Sequence, residues 1–295
     1  MNRNEELQKR RDYIEKVILR YLPEEEGPTA KLAQAVNYAM LGGGKRVRPL
    51  LLQLAFELFE GTGQIAEPFM AAIEMIHTQS LVHDDLPAID NDDYRRGRKT
   101  THVVFGEAVG ILAGDTLLNY AYEVMFHAFS LQPKEERVAL AMQIMASKAG
   151  IHGMLGGQSV DVMNDTGRID EATLLFIYEK KTAALLQAPL MIGAVLAGAG
   201  ADEITKMESV GRLAGLAFQI QDDILDVTGT AETLGKPIHS DEKNHKTTFV
   251  SLHSVNEAQA KVVQLTEEAA GILSALEGEY DLLHHFLETL VLRNK

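Results

Sequence analysis

Two groups of aspartates are the residues in this chain that are best suited to chemistry. The segment LVHDDLPAIDNDD contains Asp84, Asp85 and Asp90, and the segment QIQDDILD contains Asp222 and Asp226. Both groups have apolar approaches, and a carboxylate buried without a partner is costly. Carboxylate oxygens without cysteine or histidine nearby suit hard cations such as Mg²⁺. A single Asp-Asp pair is more often a helix cap or a solvated surface, but two such groups together indicate metal binding. The spacing does not match an EF-hand calcium loop.

Helical periodicity places these carboxylates with other polar side chains. His77 and Asp84 are seven residues apart, so they share one helix face, and Gln219 shares a face with Asp222 and Asp226. Pro87 does not allow a plain helical continuation after the first group, so the helix should bulge or end there. Taken alone, His77 is equally well read as a hydrogen-bonded core histidine.

Basic residues form the second unusual pattern. In GGKRVRP, Lys45 and Arg48 are expected just before a helix N-terminus, a position that attracts anions, and the two glycines let the backbone approach a ligand. Arg95 and Arg96 offer planar forks suited to phosphate oxygens. Lys181 adds a cation next to apolar residues. These cations suit a diphosphate, although each alone would usually belong to a solvated surface.

The elements that must position these residues are helices. Ala, Leu, Glu, Gln, Lys and Met dominate the periodic segments, and no sustained alternation predicts a sheet. We therefore expect one all-α domain, residues 1–295, with about ten or more helices. The expected breaks are a helix end at residues 42–44, a polar loop at residues 91–101, a helix interruption at Gly156-Gly157 and a functional lid at residues 228–247.

Composition limits the possible functions. The formal net charge of −14 argues against a protein that coats nucleic acid, and a diphosphate substrate would need local cations. There are no cysteines, so thiolate sites are excluded. Residues 1–13 lack the apolar core of a secretory signal, which predicts a cytoplasmic protein. The apolar run at residues 183–201 is rich in Ala and Gly and contains Gln187 and Pro189, so we expect a buried helix and no membrane insertion.

LVHDDLPAIDNDDYRRG followed by QIQDDILD resembles the trans-isoprenyl diphosphate synthases, and within that family it is most similar to the bacterial farnesyl diphosphate synthases. GGKRVRP, EMIHTQSLVHDD, FGEAVGILAGD, GGQSVD and EKKTAALL also match family segments, so the resemblance covers nearly the whole chain. It implies the all-α isoprenoid synthase fold around a deep central cavity, a homodimer, and Mg²⁺-dependent head-to-tail prenyl transfer. Isopentenyl diphosphate would be joined to dimethylallyl and then geranyl diphosphate, giving farnesyl diphosphate.

The resemblance also implies roles for individual residues. Three Mg²⁺ ions, with Mn²⁺ as a possible substitute, would be held by Asp84, Asp85, Asp90, Asp222 and Asp226. The diphosphate of the allylic substrate and the metal waters would be contacted by Arg95, Lys181, Gln219 and Lys236. The diphosphate of isopentenyl diphosphate would be bound by Lys45, Arg48, His77 and Arg96. Thr182 would lie near the developing allylic cation, and Arg293 and Lys295 would help to close the site.

The sequence departs from the family pattern at the position that limits chain growth. Five residues before the first aspartate pair, where such proteins often carry an aromatic residue, this chain has Gln79. We therefore expect either a deeper cavity floor or a floor set by Thr78 or Met75, and a twenty-carbon product is an alternative. Residues 245–246 and 249–250 also depart, with His-Lys and Phe-Val in place of Gly-Lys and Tyr-Pro.

Other classes fit less well. A terpene cyclase would carry an Asn/Ser/Glu-type second metal motif, in contrast to DDILD. A non-catalytic partner subunit or a metal-buffering helical protein should have lost an aspartate group or the set formed by Lys45, Arg48 and His77, and all of these are present.

Overall fold

The computed structural model describes residues 2–131, 135–164, 167–229 and 247–291, and within them it is almost entirely helical. The α-helices are α1 (Arg3–Arg20), α2 (Ala30–Met40), α3 (Val47–Leu58), α4 (Glu67–Asp84), α5 (Thr101–Phe105), α6 (Glu107–Phe126), α7 (Ala128–Leu131), α8 (Glu135–Ala149), α9 (Met154–Met163), α10 (Glu171–Ile177), α11 (Ala184–Ala197), α12 (Ala201–Thr228), α13 (Phe249–Leu252), α14 (Val255–Ser274) and α15 (Asp281–Val291). A 3₁₀ turn spans Gly27–Thr29 and a π-helical turn, the π turn, spans Tyr178–Ala183. Strands β1 (Tyr94–Arg95) and β2 (Arg98–Lys99) form an antiparallel hairpin. The expected all-α class is confirmed.

The chain divides into two compact units. Unit one contains Met1–Gln53 and Thr62–Met142, and unit two contains Leu54–Gly61 and Gln143–Lys295. Unit one therefore holds the first aspartate group and the glycine-rich basic segment, whereas unit two holds the second aspartate group. That the chain works as one domain stays a prediction.

Helix α4 is the central element of unit one because it is buried on nearly every side. Its side chains Ile73, Met75 and Ile76 have no exposed surface. Pro68 lies in its first turn, where a missing N–H costs nothing. Helix α6 packs closely against α4, and a Cβ on Gly114 would overlap the ring of His83. This close contact fixes the end of α4 that carries the aspartates.

The π turn in unit two is held between two glycines. Gly157 of α9 lies against the backbone of Lys180 and Lys181, and Gly215 of α12 lies against Ala183. A side chain on either glycine would overlap those atoms, so only glycine permits this packing. The expectation that Gly156-Gly157 interrupts a helix was wrong, because both residues lie inside α9 and Gly157 provides the space for the π turn.

Other expected boundaries have mixed outcomes. Helix α2 ends at Met40, just before the three glycines, and α4 ends at Asp84, before Pro87, as expected. Arg48 was expected before a helix but is the second residue of α3, because Val47 already begins that helix. The stretch 91–101 was expected to be loop throughout, but it contains the hairpin β1–β2 and the first residue of α5. Two-residue strands give no sequence alternation, so the hairpin left no signal.

The apolar run at 183–201 forms α11, which is buried almost throughout, as expected. Among the described residues, no helix combines the length and the apolar character that a membrane span requires.

Candidate functional site

The first aspartate group lies at the C-terminal end of α4, where the chain folds back on the helix. The N–H of Asp90 donates to the carbonyl of Asp84 at 2.8 Å, and that of Asp92 to the carbonyl of Asp85 at 3.2 Å. Asp85 is buried, Asp84 is half-buried and Asp90 is exposed. The C-terminus of a helix carries partial negative charge. Several carboxylates at such an end are unfavourable unless a cation compensates them.

Arg95 supplies part of that compensation. Its Nη2 and Nε lie 2.6 Å and 2.7 Å from Oδ1 of Asp85, and Nη2 lies 3.6 Å from Asp92. The hairpin β1–β2 carries Arg95 to this position. Burial raises the pKa of Asp85, and Arg95 only partly offsets it. A cation bound by Asp85 would therefore compete with Arg95 and free that arginine for an anion.

Arg48 and His77 belong to a group of cations in unit one. Burial lowers the pKa of Arg48 to about 10; Glu74 opposes this shift and Arg96 adds to it. Nε of Arg48 is buried and has no hydrogen-bond partner among the described residues. The pKa of His77 lies well below 6.5. Burial is the largest cause, followed by the positive charges of Arg48, Arg96, Arg95 and Arg46. His77 is therefore neutral at pH 7, and an anion placed among these groups would be stabilised.

The glycine-rich segment shapes this region. Arg96 Nη1 donates to the carbonyl of Gly43. A Cβ on Gly44, which has a φ of 149°, would lie 2.6 Å from that guanidinium. Lys45 is exposed. The glycines were expected to admit a ligand, and the described structure shows that they also admit the side chain of Arg96.

The second aspartate group occupies the last two turns of α12. Asp222 is half-buried and Asp226 is buried. The neighbouring Asp223 is engaged in structure, because its Oδ2 accepts from the hydroxyl of Tyr178 at 2.5 Å and from the N–H of Phe249 at 2.7 Å. This group, like the first, lies at the negative end of a helix.

The π turn presents Lys181 and Thr182 next to α9 and α12. Lys181 Nζ lies 2.6 Å from Oδ2 of Asp161, and Thr182 Oγ1 donates to Oε1 of Gln219 at 2.9 Å. All four side chains line a cavity of about 200 Å³ in unit two. π turns are frequent at functional sites. Sequence reasoning did not select Asp161, although GGQSVD, which ends in that residue, was among the segments that carried the resemblance.

Gln79, at the position expected to limit chain growth, is buried and fixed. Its Nε2 lies 3.1 Å from Nδ1 of His83, whose Nε2 lies 3.1 Å from the carbonyl of Ile111. The carbonyl needs a donor, so we assign the ring proton to Nε2 and let Nδ1 accept from the amide. Met75 is fully buried, and Thr78 lines a small cavity of about 50 Å³ that Arg95 and Arg96 also border.

The carboxylates of the two aspartate groups fit Mg²⁺ that shares its other ligands with water and a phosphate substrate. Among the described residues, no three His, Cys, Asp or Glu side chains are gathered closely enough to hold a metal ion. Mg²⁺ rarely uses such a cage; it usually takes one or two carboxylates, keeps several waters and shares the oxygens of a phosphate substrate. Asp84 and Asp85 in unit one, and Asp222 and Asp226 in unit two, match that pattern.

Some predicted residues cannot be placed. Lys236, Arg293, Lys295 and most of the lid at 228–247 lie outside the described residues.

Comparison with known proteins finds similarity to prenyl diphosphate synthases in the family model, in the curated relatives and in the solved structures. The family described as "Polyprenyl synthetase" matches residues 29–277. The chain is 38% identical to the farnesyl diphosphate synthase of Geobacillus stearothermophilus, covering 98% of this chain and 97% of that protein. It is 41% identical to the geranylgeranyl diphosphate synthase of Cyanophora paradoxa, covering 89% and 87%. The crystal structure of a geranyltransferase from Helicobacter pylori, complexed with magnesium and isoprenyl diphosphate, superimposes with a TM-score of 0.84 at 31% identity, covering 99% and 97%.

Proposed function

The chain belongs to the polyprenyl synthetase family and is a prenyltransferase, and from that premise we propose that it is a farnesyl diphosphate synthase. It would condense isopentenyl diphosphate with dimethylallyl diphosphate and then with geranyl diphosphate. The farnesyl diphosphate synthase of Geobacillus stearothermophilus, which matches this chain from end to end, supports the fifteen-carbon product.

The observation that carries the proposal is the arrangement of charge in unit one. A carboxylate group at the end of α4 and a cluster of partly desolvated cations, Arg48 and Arg96 with neutral His77, occupy the same compact unit. Carboxylates suit a hard metal, and guanidinium groups suit the oxygens of a diphosphate. Among the described residues, no acceptor lies within hydrogen-bond distance of the buried Nε of Arg48, and a diphosphate oxygen would supply the acceptor that is missing.

We propose that Asp84, Asp85 and Asp90 hold Mg²⁺ on the allylic diphosphate, and that Asp222 and Asp226 hold a further ion. Mn²⁺ would be a substitute. When bound, the metal supplies positive charge that stabilises the diphosphate as it leaves. Local cations of this kind also resolve how a chain with a net charge of −14 accepts an anionic substrate.

The side chains then have distinct roles. Lys45, Arg48, Arg96 and His77 would bind the diphosphate of isopentenyl diphosphate. Arg95, released from Asp85, would contact the allylic diphosphate, as would Lys181. The allylic carbon–oxygen bond breaks and releases pyrophosphate, and the double bond of isopentenyl diphosphate attacks the resulting cation. The new cation then loses a proton to the released pyrophosphate, which restores a double bond. Thr182 would lie near the allylic cation, whereas Gln219 would contact the allylic diphosphate or the metal waters. The apolar surroundings must exclude water.

Product analysis tests the proposal. The purified chain is incubated with isopentenyl diphosphate, Mg²⁺ and, separately, dimethylallyl, geranyl or farnesyl diphosphate, and products are identified by chain length. We expect the first two starters to be extended to fifteen carbons and farnesyl diphosphate to be left unused. A chain that extends no starter, with or without Mn²⁺, would contradict the reaction itself.

Geranylgeranyl diphosphate synthesis is the second candidate, and Gln79 is the observation that favours it. Gln is slimmer than the aromatic residue expected here, and relatives that make geranylgeranyl diphosphate are as similar to this chain as those that make farnesyl diphosphate. Conversion of farnesyl diphosphate to a twenty-carbon product would establish this alternative.

We also propose that the protein is a cytoplasmic homodimer. Exposed apolar side chains on α5 and α6, namely Val104, Ile111 and Leu112, support a protein partner because a second copy would remove them from water. Light scattering coupled to gel filtration should give twice the chain mass of 32.4 kDa. Elution at the mass of one chain would contradict the dimer.

A further inference from the structure

Arg46 is a buried guanidinium next to the proposed diphosphate site, and its nitrogens are engaged by protein atoms. Nη1 donates to Oε1 of Glu74 at 2.9 Å, Nε donates to Oε1 of Glu15 at 2.7 Å, and Nη2 donates to the carbonyl of Met40 at 2.9 Å. The Arg46 and Glu74 side chains are each 3% exposed. Arg46 is therefore not available to bind a substrate in the way that Arg48 is.

Glu74 is the acidic neighbour of the cation cluster, and its position creates a conflict. Burial lowers the pKa of Arg48 and of Arg96, and in both cases the charge of Glu74 opposes that shift. Glu74 is thus close enough to attract both arginines. A carboxylate that paired with them would occupy the donors that a diphosphate needs.

The geometry shows how this pairing is avoided. Oε1 of Glu74 accepts from Arg46, while Oε2 is buried and has no hydrogen-bond partner among the described residues. Nε of Arg48 likewise has none. Arg96 donates to the carbonyl of Gly43. The carboxylate and the two arginines therefore remain close together without direct pairing.

The backbone supports the same arrangement. Arg46 has a φ of 48°, a left-handed conformation that is uncommon for a residue other than glycine and must be held by its surroundings. Its bonds to Glu15 of α1, Met40 of α2 and Glu74 of α4 link three helices and fix the start of α3. Arg46 thus fixes both the carboxylate and the chain segment that leads into Arg48.

We propose that Arg46 is a positioning residue of the diphosphate site, which holds the carboxylate of Glu74 so that it does not pair with Arg48 and Arg96. This inference rests on the proposed function, because it assigns those two arginines to the diphosphate of isopentenyl diphosphate. In this arrangement Arg46 does not touch the substrate; it keeps two substrate-binding guanidinium groups available.

A double-mutant cycle tests the inference. In Arg46→Met, the buried Glu74 loses its partner and turns to Arg48 and Arg96, so KM for isopentenyl diphosphate should rise about ten-fold or more, with KM for the allylic diphosphate changed less than about two-fold. In Glu74→Gln, the competing charge is gone, so KM should stay within about three-fold of the wild type. The double variant R46M/E74Q should return KM to within about three-fold of the wild type.

A matched control separates positioning from stability. Arg20 and Glu67 form another ion pair to α4, at 2.6 Å, with Glu67 buried, at the opposite end of the helix. Arg20→Met should lower the melting temperature without changing either KM. A purely structural Arg46 would give a double variant at least as impaired as R46M, and that result would overturn the inference.

The binding of inorganic pyrophosphate without metal, measured by calorimetry, makes the test independent of turnover. The Kd values for pyrophosphate should follow the same order as KM for isopentenyl diphosphate. Only R46M should bind pyrophosphate more weakly; E74Q and R46M/E74Q should bind it like the wild type. If the wild type binds pyrophosphate but extends no substrate, the proposed reaction fails while the Kd order still decides the role of Arg46. If R46M does not fold, the other two variants still decide the question. A Kd for pyrophosphate that is raised above that of the wild type in either E74Q or R46M/E74Q would overturn the inference.

Discussion

Lys181 Nζ lies 2.6 Å from Oδ2 of Asp161, one helical turn beyond Gly157, the residue of α9 that the backbone of Lys181 covers. The absence of a side chain at Gly157 lets the π turn approach α9 closely enough for this ion pair to form. A packing feature in the helix thus determines where the cation lies.

The same relationship recurs on the other side of the π turn. Ala183 packs on Gly215 of α12, and one turn further along that helix Gln219 accepts a hydrogen bond from Thr182. Two glycines on two helices therefore position two neighbouring polar residues, both of which we assign to the site.

Gly215→Ala should push the π turn away from α12 and break the hydrogen bond between Thr182 and Gln219. A Cβ at this position would overlap Ala183, including its backbone Cα at 2.5 Å, so the π turn must shift. We expect a loss of about 1–3 kcal/mol in the free energy of unfolding, as for overpacked interiors, and a fall in kcat as Thr182 leaves Gln219. Urea denaturation and steady-state kinetics measure the two effects.

Gly271→Ala is the matched control for that variant. Gly271 also lies inside a helix, α14, but a Cβ there meets nothing within 4 Å. Alanine has the higher helix propensity, so this variant should be more stable by about 0.5–1 kcal/mol with unchanged kinetics. Equal behaviour of the two variants would show that Gly215 is not required for close packing.

Asp222→Ala should reduce turnover by about 100-fold or more, because it removes a proposed metal ligand. Asp202 is an exposed residue at the start of the same helix, so Asp202→Ala should leave turnover unchanged. Activity is measured over a titration of Mg²⁺, and turnover like that of the wild type at saturating Mg²⁺ would remove Asp222 from the metal site.

Asp223→Asn tests whether two adjacent aspartates have different roles. Asp223 accepts bonds from Tyr178 and from the N–H of Phe249. Weakening these buried bonds should destabilise the fold by about 1–3 kcal/mol. Its Mg²⁺ dependence should match that of the wild type, and a requirement for much higher Mg²⁺ would instead assign Asp223 to the metal.

Gln79→Tyr should shorten the product if residue 79 forms the floor of the chain-binding cavity. Gln79→Met separates size from hydrogen bonding, since Met has a similar volume but cannot donate to His83. Products are compared by chain length. Shortening by Tyr alone would identify bulk as the determinant, and an unchanged profile in both variants would move the floor to another residue, with Thr78 or Met75 next to be tested.

His77 should make stability depend on pH. Its pKa in the folded protein lies well below 6.5, so between that value and 6.5 the unfolded chain binds a proton that the folded chain does not. The free energy of unfolding should therefore fall as pH drops below about 6.5, by up to about 1.4 kcal/mol per pH unit from this group. His77→Gln should remove that component.

Urea denaturation at pH 7.5, 6.5 and 5.5 measures this difference between the two proteins. Parallel curves for the wild type and the variant would mean that His77 titrates normally. Addition of pyrophosphate should reduce the difference, because an anion near His77 offsets the neighbouring arginines.

The helical class and both aspartate groups could be predicted from the sequence for a local reason. Helical periodicity, the stop at Pro87 and the carboxylate clusters are encoded by residues close together in the chain, and the structure ends α4 at Asp84 as expected. The family was equally accessible, because its motifs are contiguous segments. By itself, the sequence thus determined the helical class and the family, and it predicted which side chains would hold a metal or a diphosphate.

Tertiary structure alone decided which of those side chains meet. Nothing near Asp85 in the chain shows that Arg95 pairs with it, and nothing near Gly157 shows that the backbone of Lys181 crosses there. In the sequence, Arg46 looks like one more ligand-binding cation beside Lys45 and Arg48. In the structure, it donates hydrogen bonds to Glu15 and Glu74. Burial and pairing depend on residues distant in sequence, so the roles of Arg46, Asp161 and Asp223 became visible only when the helices were packed.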